Sequence, residues 1–250
     1  MTAVSTTGTG AWVRRFRPAP QAPARLVCFP HAGGSATFYF PVAVALASTV
    51  DVLAIQYPGR QDRHTEPCLD SVAEIADACA AELRPWCDRP IAFFGHSLGA
   101  TVAFEVARRL EADGVVLTAL FASGRRAPSA VRDERTHLRD DDGLIAAIRQ
   151  LNGTARQVLD DEDILRMILP AVRADYRAAE TYRCPPGPGL SCPVQVLTGD
   201  RDPHVTPEEA QAWERHTDAV VDVKVFPGGH FYLNSHSEAV IAEIRRRLRT

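Results

Sequence analysis

The chain has 250 residues, of which 46% are hydrophobic and 24% charged, and its formal net charge at pH 7 is -3. This length suffices for one large core, and the mixed charges leave no basic face for a nucleic acid backbone. No apolar run reaches the roughly 18 residues that a membrane helix needs, so neither a nucleic acid nor a membrane is expected as a partner.

The amino terminus and the cysteines both bear on location. Residues 1–10 are rich in Thr, Ser and Gly and lack the basic start and long apolar run of a signal peptide, which predicts a simple tail. The six cysteines contain no Cys-x-x-Cys pair, which favours reduced and mostly structural thiols. We therefore expect a cytoplasmic protein.

Short apolar runs, typical of strands that are buried on both faces, recur along the chain. A short edge strand is predicted within 12–17, and Ser71 and Glu74 form a capping-box pattern at the start of a helix. The alternation of strand and helix patterns predicts one α/β domain over 1–250, with a mostly parallel sheet and helices on both faces. The predicted core strands are 26–29, 52–55, 91–94, 115–122, 194–197 and 220–226.

Residues 125–193 interrupt this alternation. They contain no convincing strand, but they show helical patterns over 143–151, 161–169 and 171–182. Because the segment is too long for an ordinary loop, we expect a helical lid insertion that opens to admit substrate. The alternative is an insertion that only adds core.

A nucleophile elbow is predicted at Gly95-His96-Ser97-Leu98-Gly99. This Gly-x-Ser-x-Gly pattern follows an apolar run and precedes a helical one, as the elbow requires. The turn exposes the serine hydroxyl, which must lie within reach of a base because it is a weak nucleophile on its own. Ser97 is the candidate nucleophile, provided that an acid and a histidine follow in that order.

The acid is expected after the run 194–197, where Asp200 and Asp202 lie in a loop at the carboxyl end of a predicted strand. We favour Asp202, since the residue after a glycine usually completes the turn. Asp200 is then a turn former that bonds to its own backbone.

The base is expected after the run 220–226, at His230, with His204 and His236 as the alternatives. Its imidazole can accept the Ser97 proton while Asp202 holds the tautomer. The predicted catalytic residues are therefore Ser97, Asp202 and His230.

Two backbone amides are expected to form the oxyanion hole. One is the N–H of Leu98, directly after the nucleophile. The other is assigned to Ala32, in the loop after the first core strand, where Gly33 and Gly34 allow the backbone to turn its amides inward.

These residues make the chain resemble an α/β-hydrolase, and more narrowly the type II (external) thioesterases of modular polyketide synthases and nonribosomal peptide synthetases. The resemblance implies hydrolysis of acyl groups from the phosphopantetheine arm of acyl or peptidyl carrier proteins, which edits stalled assembly lines, without a cofactor or a metal. The residues alone support only acyl transfer to water through a serine ester. The segments that carry the resemblance are 29–34, 56–63, 95–99, 199–202 and 228–231.

Contacts with the carrier and the acyl chain are also expected. Arg60 and Arg63 are candidates for binding an acidic carrier or its phosphate, with structural ion pairs as the alternative. Phe38 and Tyr39 are candidates for lining the acyl channel, with a core position as the alternative. We expect a monomer.

Two other functions stay open at this point. A general carboxylesterase or lipase-like hydrolase acting on small free esters would use the same three residues. A non-catalytic carrier-binding module would contain the same three residues without using them for catalysis.

Overall fold

The computed structural model describes residues 11–151 and 161–248. Within these ranges seven strands form one sheet in the order β1-β3-β2-β4-β5-β6-β7. All neighbouring pairs are parallel except β1 with β3, so the predicted mostly parallel sheet is confirmed. The strands are β1 Val13–Arg14, β2 Ala24–Phe29, β3 Val50–Ile55, β4 Ile91–His96, β5 Ala119–Ser123, β6 Val194–Gly199 and β7 Val221–Phe226.

Helices cover both faces of this sheet. Successive side chains of a strand point to opposite faces, and β2 shows what covers each one. Val27 and Phe29 pack in a cluster with α2 and α3, whereas Leu26 and Cys28 pack with α1 and α8. The α-helices of the described residues are α1 Phe40–Leu46, α2 Val72–Leu83, α3 Leu98–Ala112, α4 Asp141–Leu151, α5 Glu162–Thr181, α6 Pro207–Gln211, α7 Tyr232–Ser235 and α8 Ser237–Leu248.

The segment 125–193 contains α4 and α5, and one prediction about it was wrong. The helices predicted over 161–169 and 171–182 are a single helix that runs through Pro170. Proline removes one backbone hydrogen bond from a helix and usually breaks it. Here Pro170 is exposed while Leu169 and Val172 are buried, so packing of the apolar face holds the two halves in line.

Two smaller predictions also differ from the structure. Ser71 precedes α2 without the predicted side-chain cap, whereas Thr206 and Glu209 form a complete capping box at α6. The strand predicted over 115–122 begins only at Ala119, and Val116 before it is exposed.

Within the described ranges, every helix is too short or too polar to span a bilayer. All six cysteines are unpaired, and Cys28, Cys79 and Cys192 are buried, which agrees with the predicted reduced, structural thiols. The tail predicted over 1–10 lies outside the described residues.

Candidate active site

Ser97 lies in the sharp turn between β4 and α3. Its backbone has φ 54° and ψ -121°, a conformation that residues other than glycine rarely adopt. Such strain persists only when the surrounding structure imposes it. The turn has the strand, serine, helix order of a nucleophile elbow, as the pattern predicts.

Both glycines of the pattern are required because a side chain at either position would collide with the backbone. A Cβ atom at Gly95 would lie 2.2 Å from the carbonyl oxygen of Gly99, and one at Gly99 would lie 2.1 Å from that of Phe29. Both obstacles are backbone atoms that a rotamer change cannot move. Glycine at these positions therefore allows α3 to start directly against β4 and β2.

Asp202 and His230 meet at the carboxyl ends of β6 and β7. The Nδ1 atom of His230 lies 2.9 Å and 3.1 Å from the two carboxylate oxygens of Asp202. Asp202 also accepts the backbone N–H of His204 at 2.9 Å, which holds the carboxylate in place. The structure thus pairs His230 with Asp202 rather than Asp200.

Asp200 has a role beyond the predicted bond to its own backbone. Its exposed carboxylate accepts the backbone N–H of Gly228 at 2.7 Å, so it joins the loop after β6 to the loop after β7. His236, an alternative base, lies 2.9 Å through Nε2 from the Pro227 carbonyl oxygen. Neither residue reaches the cavity that holds Ser97, among the described residues that line it.

Ser97 and His230 line one small cavity of about 60 Å³. Among the hydrogen bonds of residues 11–151 and 161–248, none joins the Ser97 hydroxyl to the imidazole. Hydrogen bonds of this kind often tighten only when substrate is bound. Burial lowers the pKa of His230, although the hydrogen bond that its Nδ1–H donates to Asp202 and the charge of that carboxylate oppose the shift, so the imidazole is neutral and able to accept a proton at pH 7.

The amides predicted for the oxyanion hole line the same cavity. In the loop after β2, the Gly33 N–H donates to Asp175 at 2.7 Å and the Gly34 N–H donates to the His31 carbonyl at 2.9 Å. No backbone hydrogen bond in the described part of the chain uses the N–H groups of Ala32 or Leu98. Both amides therefore remain the candidates for an oxyanion hole.

His96 packs beside His230, and His31 packs in turn beside His96. The ring of His96 lies 4.9 Å from that of His230 and 5.8 Å from that of His31. Burial lowers the pKa of His31 to about 3 and that of His96 well below its usual value. Both rings are thus neutral at pH 7, so neither places a positive charge beside His230.

Charged groups line the cavity around Ser97 on the side of the segment 125–193. They include Arg125, Glu134 and Glu180. Burial lowers the pKa of Arg125 to about 10, so this group stays a cation at neutral pH. Sequence reasoning missed Arg125, although its place directly after the carboxyl end of β5 was a signal that could have found it.

A larger apolar cavity of about 380 Å³ adjoins the one that holds Ser97. The two share His31, Ala32 and Phe231 among their lining residues. The apolar wall comes from α4 and α5, so the segment 125–193 builds this chamber. Its apolar side chains include Ile148, Leu151, Ile164, Met167, Ile168, Ala171 and Val172.

Phe38 and Tyr39 lie elsewhere than predicted. Neither is among the described residues that line the apolar chamber. Tyr39 is 1% exposed, and its hydroxyl donates to the Phe29 carbonyl at 2.7 Å. Tyr39 therefore occupies a core position, which was the alternative to lining the acyl channel. The ring of Phe38 packs edge-to-face with the ring of His31, with centroids 4.7 Å apart.

Arg60 and Arg63 both form ion pairs within the chain, which was the alternative to binding the carrier. Arg60 forms two hydrogen bonds to Asp175 at 2.6 Å and 2.9 Å. Arg63 is paired with Glu66. Both side chains are buried and engaged within the chain, and Arg60 is also among the residues that line the apolar chamber.

Within the described residues, no group of His, Cys, Asp and Glu side chains is arranged to hold a metal ion. The chemistry that this arrangement can perform is nucleophilic attack by a serine with a histidine base and two amide donors.

Known proteins are similar to this chain over most of its length. Residues 24–248 match the family model described as a thioesterase domain. The chain is 54% identical over 237 residues to the probable cadicidin biosynthesis thioesterase of Streptomyces griseus, which covers 95% of this chain and 66% of that protein. It is 49% identical over 242 residues to the thioesterase PikA5 of Streptomyces venezuelae, covering 96% of this chain and 86% of that protein.

Among solved structures, the chain is similar to the type II thioesterase BorB from the borrelidin biosynthetic cluster. The TM-score is 0.92 at 55% sequence identity, over 97% of this chain and 99% of that chain. The resemblance predicted from the sequence is thereby confirmed. With matches over nearly its whole length and an elbow serine at the carboxyl edge of a mostly parallel sheet, the chain belongs to the thioesterase family and has the α/β-hydrolase fold.

Proposed function

We propose that this protein is a type II editing thioesterase that removes acyl groups from the phosphopantetheine arm of carrier protein domains in polyketide or nonribosomal peptide synthesis. One observation carries the proposal. The strained elbow serine, Ser97, shares a cavity with the hydrogen-bonded pair Asp202 and His230, and that cavity adjoins an apolar chamber large enough for an acyl chain.

In the mechanism we propose, the Ser97 hydroxyl attacks the thioester carbonyl carbon while His230 accepts its proton through Nε2. Asp202 holds the tautomer and stabilises the imidazolium that forms. The N–H groups of Ala32 and Leu98 bind the negative oxygen of the tetrahedral intermediate.

The carbon–sulfur bond then breaks, and the thiolate takes the proton from His230. Since a thiol has a pKa of about 8.5, its thiolate leaves easily and needs less acid assistance than an amine. A water molecule, deprotonated by His230, hydrolyses the serine ester and regenerates the hydroxyl. The products are a carboxylic acid and a free thiol.

The partners follow from this function. Carrier domains would present the acyl arm at the charged cavity that holds Ser97, and the acyl chain would enter the chamber built by α4 and α5. The names of the relatives support a place in such biosynthetic systems. We propose a cytoplasmic monomer that meets its carriers in solution.

A comparison of three substrates tests the function. One acyl group is supplied on a carrier protein, as a free pantetheine thioester and as a small oxygen ester, and kcat/KM is measured for each. We expect the carrier-bound thioester to be the best substrate. Mass spectrometry of a panel of acylated carriers would report the preferred chain.

A preference for the free oxygen ester would contradict editing and favour the carboxylesterase alternative. A wild-type chain that binds carriers without hydrolysing any substrate would favour the non-catalytic module.

We propose further that α4 and the first half of α5 form the lid. Leu144 and Ile148 of α4 pack with Leu165, Leu169 and Val172 of α5 in a hydrophobic cluster separate from the two clusters of the sheet. A unit with its own small core can move without disturbing the sheet.

Hydrogen exchange tests this lid. We expect amides of 141–151 and 164–169 to exchange much faster than those of β4, because each opening exposes them. Protection there equal to that in β4 would contradict a moving lid and favour an insertion that only adds core.

A further inference from the structure

The Asp175 carboxylate, on α5, is fully buried beside the loop that carries Ala32. It accepts hydrogen bonds from both terminal nitrogens of Arg60, at 2.6 Å and 2.9 Å, and from the backbone N–H of Gly33, at 2.7 Å. Its side chain is 0% exposed. A buried carboxylate with three donors is held rigidly, because each lost bond would leave a charge unpaired in the interior.

Arg60 also forms a hydrogen bond with this loop. Its guanidinium group also donates to the carbonyl oxygen of Gly34 at 3.2 Å and to that of Pro58 at 3.3 Å. The Tyr57 ring lies 5.2 Å below it. Asp175 and Arg60 together therefore hold the loop directly after Ala32 at two points, the Gly33 N–H and the Gly34 carbonyl.

The backbone of the loop fits against α5 without a gap. Gly33 has φ +74°, and a Cβ atom there would lie 2.9 Å from a methyl carbon of Val172. Val172 and Asp175 are three residues apart and so share one face of the helix. On that face, the Val172 methyl group packs against Gly33 and the Asp175 carboxylate accepts the Gly33 N–H.

We propose that Asp175 is a positioning residue of the oxyanion hole. By engaging the Gly33 N–H it sets the orientation of this loop, so that the neighbouring Ala32 N–H stays free and faces the cavity of Ser97. This inference rests on the proposed function, in which the Ala32 amide binds the oxyanion.

Arg60 is the necessary complement of Asp175. An unpaired carboxylate on the loop that carries Ala32 would oppose the negative charge of the developing oxyanion, and burial strengthens such an interaction. The bidentate pair with Arg60 neutralises that charge while leaving the Gly33 bond intact.

The position of Asp175 also limits which part of α5 can move with the lid. The second half of α5 holds catalytic groups in place, so it must stay on the body of the enzyme when the first half moves. Any opening would then occur on the amino-terminal side of Asp175.

Asp175→Asn tests the inference, with Asp51→Asn as a matched control. Asp51 is also 0% exposed, and it accepts bonds from Arg15 at 2.9 Å and from the Ala19 backbone N–H at 3.1 Å. It lies near the start of β3, at the opposite edge of the sheet from Ser97. Both variants lose one buried, arginine-paired charge.

For Asp175→Asn we expect kcat to fall by about 10-fold or more with KM nearly unchanged, because an oxyanion donor acts in the transition state. Asp51→Asn should keep the wild-type kcat per folded molecule. Affinity for an alkyl boronic acid, which forms a tetrahedral adduct with a serine, should fall in parallel with kcat, while affinity for an acyl pantetheine amide should not.

A double variant separates positioning from simple stability. Arg60→Met/Asp175→Leu removes both charges and keeps apolar volume, so it should fold even if a single variant does not. We expect its kcat and its boronate affinity to stay low, since the Gly33 amide has lost its acceptor.

Full kcat in the double variant, or boronate affinity of Asp175→Asn equal to that of Asp51→Asn, would overturn the inference. A wild-type chain without thioesterase activity would instead overturn the proposed function. The boronate comparison needs no turnover and would still test the positioning role.

Discussion

Replacing Ser97 with alanine is expected to lower kcat for acyl-carrier hydrolysis by about 10⁴-fold or more. The hydroxyl is the group that forms the acyl-enzyme, and alanine has no nucleophile to replace it. Carrier binding and the free energy of unfolding should change little, because alanine occupies the same turn. The measurement is single-turnover release of acid from an acylated carrier.

Ser71→Ala is the matched control. Ser71 also precedes a helix without making a side-chain cap, as Ser97 does, but it lies before α2 and away from the cavity. We expect wild-type kinetics from it. Undiminished hydrolysis by Ser97→Ala would show that the nucleophile is another residue.

Asp202→Asn is expected to lower kcat by about 10⁴-fold, because asparagine cannot stabilise the imidazolium and favours the wrong imidazole tautomer. Asp200→Asn is the control. Asp200 precedes Asp202 by two residues and is exposed, and its bond to Gly228 holds a loop rather than His230. A loss for Asp200→Asn as large as that for Asp202→Asn would contradict the assignment of the acid.

The pH profile of kcat/KM provides an independent readout of the same pair. Only neutral His230 accepts the serine proton, so activity should rise with pH through the pKa of this group. Because burial lowers that pKa, the midpoint for the wild type should lie below 6.5. Asp202 raises the pKa of His230 by its hydrogen bond and charge, so the midpoint for Asp202→Asn should be lower still.

A wild-type midpoint above 6.5 would contradict a buried His230 as the base.

The local features of the site were readable from the sequence, since each depends on residues close together in the chain. An apolar run, a serine between two glycines and a following helical pattern are enough to predict the elbow, because only glycine leaves room for the backbone at Gly95 and Gly99. Parallel strands end at one edge of a sheet, so the acid and the base could be placed after β6 and β7.

Tertiary structure decided what depends on packing between distant segments. Arg60 and Asp175 are 115 residues apart, and no local pattern indicates that they meet, so the sequence left Arg60 open between carrier binding and an ion pair. The walls of the apolar chamber come from α4 and α5, not from Phe38 and Tyr39, because the helices of 125–193 lie over the sheet edge. Pro170 predicts a break, yet the buried face of α5 outweighs the one lost hydrogen bond.

The sequence by itself therefore determined the fold class, the serine and the order of its partners, because sterics and hydrophobic periodicity act over a few residues. Only the folded chain decided which charges are paired, what lines the chamber and which amides stay free, because these depend on contacts that the order of residues does not encode locally.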